Sequence, residues 1–127
     1  MNGCRVDTQV PHELADVLQY TVRMVLLDRG EPGLRELFHG YRRAHTYQPR
    51  VLREAADFVA YLAEHAADIP HLAEVAEYEL ALHRIADGGP AQRVRFSCEP
   101  TALLTALAEL RLPDRLQPGD YELVVMP

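Results

Sequence analysis

The period of this chain changes at one point. As far as Ala86 the apolar residues recur at steps of three and four; then Asp87, Gly88, Gly89 and Pro90 arrive together, and from Arg93 onward apolar and polar residues alternate. Glycines followed by proline just past a helical stretch form a stop, because glycine accepts the left-handed turn that closes a helix and proline cannot continue one. Steps of three and four place side chains on one stripe of a helix, whereas alternation places them on one face of a strand. The chain is therefore expected to be α+β, mainly α: a helical domain over residues 1–87, then a short strand-helix-strand tail over 88–127.

Four helices are predicted before the stop. After a polar leader, Pro11 opens the first, whose broad face carries Leu14, Val17, Leu18, Thr21, Val22, Val25 and Leu26; it should end near Asp28, where Arg-Gly-Glu-Pro-Gly follows. Pro32 starts a second, with Leu34, Leu37, Phe38 and Tyr41 as its apolar stripe. Pro49 and Pro70 stand where a third and a fourth begin, since a fixed φ suits a first helical turn and the missing N–H has no partner there anyway. The third buries Leu52, Ala55, Val59, Leu62 and Ala66, and the fourth runs to about Ala86.

In the tail, residues 93–98 (Arg-Val-Arg-Phe-Ser-Cys) read as a half-buried strand. Pro100 opens a short helix through Leu103, Leu104, Leu107 and Leu110, and Pro118-Gly119 is a turn pair leading into a second strand over 121–126. A helical crossover most naturally joins parallel strands. Two strands alone leave rows of unpaired N–H and C=O groups at both edges. One reading is that Arg93, Arg95 and Glu122 protect those edges by charge. The other is that an extended peptide adds a strand there, held by main-chain bonds. In the second reading the peptide-binding residues are Arg93, Val94, Arg95, Phe96 and Ser97 of the first strand. Tyr121, Glu122, Leu123, Val124 and Val125 serve on the second.

Composition narrows the classes of function. The formal net charge is −6, every basic residue is Arg, and there is no basic tract that neutralises several phosphates at once, so nucleic acid is not expected as a partner. No apolar run reaches the ~20 residues of a bilayer span, and the first residues lack the apolar core of a signal peptide, so no membrane is expected and a cytoplasmic location is. Cys4 reads as a loose thiol near the start and Cys98 as a buried strand residue.

Catalytic patterns are missing. There is no glycine-rich phosphate loop, no Gly-x-Ser-x-Gly elbow, and no Cys and His nucleophile pair in the sequence. Glu36 and His39 form a Glu-x-x-His, which supplies two ligands in di-iron carboxylate bundles, but such a site needs a second copy and further glutamates. Glu79 and His83 are spaced to chelate or to pair across one turn. Neither pattern makes a complete set, so no metal and no cofactor is expected in this chain. The remaining histidines, His71 among them, read as solvated or capping residues at helix ends. Tyr41, Tyr47, Tyr61 and Tyr78 either fill the core or anchor an interface.

Across residues 36–85 the order of features is specific: a Tyr-Arg-x-Ala-His helix end, an Asp-Phe-x-x-Tyr-Leu helix, and a Pro-His-Leu-Ala-Glu-x-Ala-x-x-Glu-x-Ala-Leu-His helix. That stretch resembles the helical domain of HvfC-like proteins, small partners of multinuclear non-heme iron oxidases that modify cysteines in ribosomally made peptides. The resemblance implies a non-catalytic partner subunit of the kind used in methanobactin and thiaglutamate-type pathways. A TIM-barrel oxidase would hold the iron, and this chain would bind the leader of a precursor peptide and present its cysteine. Tyr41, Arg42, Tyr61 and Tyr78 are then expected at the oxidase interface, and the tail at the peptide. Larger members have a longer C-terminal domain than the short tail that follows Gly88-Gly89-Pro90 here. The first alternative is a helical DNA-associated or regulatory protein, although the acidic charge argues against literal DNA binding by the helical part, and the second is a small di-iron carboxylate protein.

Overall fold

In the computed structural model, residues 10–46, 49–113 and 115–127 are described; the expectations for Cys4 and Tyr47 lie outside them. The elements are α1 (His12–Val17), α2 (Gln19–Ala44), α3 (Val51–His65), α4 (Leu72–Ala86), β1 (Gln92–Cys98), α5 (Pro100–Ala108) and β2 (Pro118–Val125). The protein is mainly helical with a small two-stranded sheet near its C-terminus, as the change of period predicts.

The helix boundaries follow local chemistry. Gly88 stands at φ 94°, and the N–H groups of Gly88 and Gly89 donate to the carbonyls of Ile85 and Arg84 at 3.0 and 2.8 Å. This pair of bonds is the glycine-closed end expected after Ala86. The Arg-Gly-Glu-Pro-Gly break is equally visible, since α2 is two helical lengths on either side of Gly30, whose φ of 76° only glycine adopts freely. Pro100 stands at the first position of α5, behind Glu99, whose carboxylate accepts the Thr101 N–H at 2.6 Å.

The first predicted helix is divided where the sequence suggested continuity. The chain turns at Leu18 (φ −108°, ψ 46°), and α2 starts afresh at Gln19. The cause lies far along the chain: the Glu79 carboxylate of α4 accepts the N–H groups of Tyr20 and Thr21, both at 2.7 Å, and so fixes a helix N-terminus at that point. Pro49 and Pro70 precede their helices rather than entering them, because Arg50 and His71 are the residues that cap α3 and α4. Leu110 also departs from expectation. It is 63% exposed rather than part of the α5 stripe, because the helix has closed at Ala108 and Leu110 itself takes φ 59°.

β1 and β2 pair antiparallel, with Arg95 opposite Glu122 and Phe96 opposite Tyr121, which corrects the parallel expectation. After α5 the chain returns along its own path until the Glu99 N–H donates to the Gln117 carbonyl at 2.9 Å. The two strands therefore meet at the end where β1 stopped, and β2 has to run back along it. Helix and return strap together act as a long hairpin connection. The Arg23 guanidinium of α2 ties α5 down by donating to the Leu107 carbonyl at 3.1 Å.

One apolar core runs through helices and tail alike. Leu34, Tyr41, Phe58, Leu62, Val75 and Leu80 share it with Val94, Phe96, Cys98, Leu103 and Leu107, all nearly inaccessible. Full burial of such side chains is worth about 1.5–3 kcal/mol each against exposure, so the tail is held by the same force that holds the helices together. Among the described residues no helix is long and apolar enough to cross a membrane.

Candidate functional site

Two features of chemical interest meet where the tail joins α4. The first is a groove of about 290 Å³ between α4 and the edge of β1 that does not face β2. Ala73, Glu77, Ala81 and Arg84 recur at helical steps along its α4 wall, and Arg93 and Arg95 stand on its β1 side. The two alanines keep that wall low. At one end Glu74 reaches the strand itself, its Oε2 accepting the Ser97 N–H at 2.9 Å, which marks that edge of β1 as directed at α4.

The second is a polar cluster at that same end. His71 Nδ1 lies 2.9 Å from Glu74 Oε1 and 3.2 Å from Ser97 Oγ. His71 precedes α4 in the left-handed conformation, at φ 66°, an unfavourable state for a residue with a Cβ. A ring nitrogen of His71, a Glu74 carboxylate oxygen and the Cys98 sulfur all lie within 4.8 Å of one another. His71 also forms part of the wall of a cavity of about 380 Å³ beside Leu103, Leu112 and Leu116.

This cluster is not a nucleophile relay. Ser97 and Glu74 approach the same nitrogen of His71, whereas a relay needs the hydroxyl and the carboxylate on opposite ring nitrogens. Burial pushes the Cys98 thiol above its ordinary 9.0, and the Glu74 and Glu99 carboxylates push the same way, so a free thiolate is disfavoured.

The predicted site residues are placed unequally. Arg93, Arg95 and Ser97 are exposed, while Val94 and Phe96 point into the core. On β2, Tyr121, Leu123 and Val125 are half-buried against that core, and Glu122 and Val124 face solvent. The two arginines already face acids across the sheet, Arg93 to Glu122 and Arg95 to Asp120, each at 3.8 Å. Pairs this exposed contribute little stability and compete weakly with a ligand.

Of the residues expected at a partner interface, Tyr41 is corrected: it is fully buried and cannot touch another protein. Its hydroxyl donates to Glu54 Oε1 at 2.6 Å, and Arg42 Nη2 binds the other oxygen of Glu54 at 2.6 Å. Tyr61 and Tyr78 are half-buried; Tyr61 stacks on His65 with ring centroids 3.9 Å apart, and Tyr78 meets Phe96 edge-on at 6.4 Å. Glu36 and His39 sit on an exposed face of α2, and Glu79 is turned toward the start of α2. Sequence reading missed the His71 cluster because its parts lie 26 residues apart. The His-x-x-Glu spacing at the start of α4 was the one local sign of it.

Comparison of the chain with family models, with curated proteins and with solved structures finds no match.

Proposed function

We propose that this chain is a non-catalytic, cytoplasmic partner subunit that binds the leader of a ribosomally made precursor peptide and presents its cysteine to an iron-dependent oxidase. The observation that carries the reading is the groove beside β1, a strand edge walled by α4 where an extended segment can lie. Main-chain bonds to the edge would give affinity, while Arg84, Arg93 and Arg95 would favour acidic leader residues. β2 offers the other edge of the sheet. The oxidase would dock on the helices around Arg42 and Tyr61, and the benefit to the reaction would be effective concentration and orientation of the cysteine.

The test is fluorescence anisotropy with a labelled leader from a precursor encoded beside this chain and an iron oxidase. The Arg93→Glu, Arg95→Glu double variant should bind at least tenfold more weakly while circular dichroism stays unchanged, and leader should protect β1 amides from exchange. Undiminished binding with no protection in β1 would remove the groove from the reading. Protection in β2 alone would move the peptide to the other edge.

A further inference from the structure

His71, Glu74 and Cys98 come from two separate segments, the turn into α4 and the last residue of β1, yet their ligand atoms converge. We propose that they form a binding site for one zinc-class divalent ion, held by His71 Nδ1, a Glu74 carboxylate oxygen and Cys98 Sγ. This goes beyond the peptide-partner reading and stands or falls separately from it. It also revises the expectation, drawn from sequence spacing, that the chain holds no metal.

The donor set fits such an ion. Imidazole, carboxylate and thiolate are the side chains that zinc takes in four-coordinate sites, and three protein ligands leave one position for water. Tetrahedral ligands at ~2.0–2.3 Å from an ion stand roughly 3.6 Å apart. The 2.9 Å between His71 Nδ1 and Glu74 Oε1 would open by about 0.7 Å and the widest separation, up to 4.8 Å, would close by about 1 Å, both within the reach of side-chain rotation. A supporting shell is already built, because the Ser97 N–H holds Glu74 Oε2 and leaves Oε1 on the His71 side. Such outer bonds orient a ligand before the ion arrives. On binding, the Cys98 thiol would lose its proton to solvent and the sulfur would take the metal in its place.

Placement adds a reason for the site to matter. An ion here would join the beginning of α4 to the end of β1, tying the last helix before the sheet to the strand that follows it. The left-handed His71 then has a use, since that turn is what brings its ring toward Ser97 and Glu74.

The experiment uses the full, reduced, metal-free chain titrated anaerobically with Co²⁺ alone, followed by Zn²⁺. One equivalent of Co²⁺ should produce a thiolate-to-cobalt charge-transfer band together with the visible bands of a four-coordinate centre, and one equivalent of Zn²⁺ should bleach both. Cys98→Ser should abolish the charge-transfer band, Cys4→Ser should leave it intact, and His71→Ala or Glu74→Gln should each weaken binding at least tenfold. The proposal is overturned by absence of the band, by its survival in Cys98→Ser, or by its loss in Cys4→Ser. If circular dichroism shows that Cys98→Ser fails to fold, the variants at the partly exposed His71 and Glu74 decide, and unweakened binding in both overturns the site.

Discussion

The Glu79 carboxylate accepts both the backbone N–H of Thr21, at 2.7 Å, and its hydroxyl, at 2.8 Å, so one acid on α4 holds the first turn of α2. Glu79 is only 6% exposed, and removing it would leave buried donors without an acceptor. Glu79→Ala should cost about 2–4 kcal/mol in urea unfolding. Burial raises the Glu79 pKa above its ordinary 4.5 despite the three bonds that lower it. The folded state therefore takes up the proton first, and the stability linked to this group is present at low pH and is lost as pH rises through the raised value. The gap between parent and variant should accordingly widen from pH 7 toward pH 4.5; a gap that narrows would contradict the raised value.

Tyr41→Phe tests the second buried carboxylate. It removes the hydroxyl that donates to Glu54 at 2.6 Å while keeping the ring that packs edge-on against Phe58, with centroids 5.1 Å apart. A bond to a charged group, lost in the interior, is worth about 1.5–3 kcal/mol. Chemical denaturation should show that loss, whereas oxidase association should persist in the folded variant because Tyr41 has no exposed surface.

Leu110→Gly should stabilise the protein. The N–H groups of Leu110 and Arg111 donate to the Leu107 and Ala106 carbonyls at 3.1 and 3.0 Å, a helix end of the same form as that at Gly88, but with leucine at the left-handed position. A side chain there costs about 1–2 kcal/mol, part of which is offset by the greater freedom of glycine in the unfolded chain. A gain of about 0.5–1 kcal/mol is expected by thermal or urea unfolding. A loss would mean that the exposed leucine side chain makes a compensating contact.

Sequence alone determined the elements of this protein, because their causes are local. The spacing of Leu34, Leu37, Phe38 and Tyr41 gave the buried stripe of α2, the Gly88-Gly89-Pro90 run ended α4, and the alternation of Val94, Phe96 and Cys98 placed β1 half in the core. Residues within one turn or one pleat act on each other whatever the rest of the chain does. The tertiary structure decided what depended on distant residues. Glu79 divides the first helix across 58 residues, and His71 meets Ser97 across 26. Glu54 captures the Tyr41 hydroxyl from the neighbouring helix, and the Glu99 bond to Gln117 turns the sheet antiparallel. Periodicity assigns a residue to a face, but it carries no information about which other face will be packed against it, so the groove and the His71, Glu74 and Cys98 cluster existed only once the chain had closed on itself.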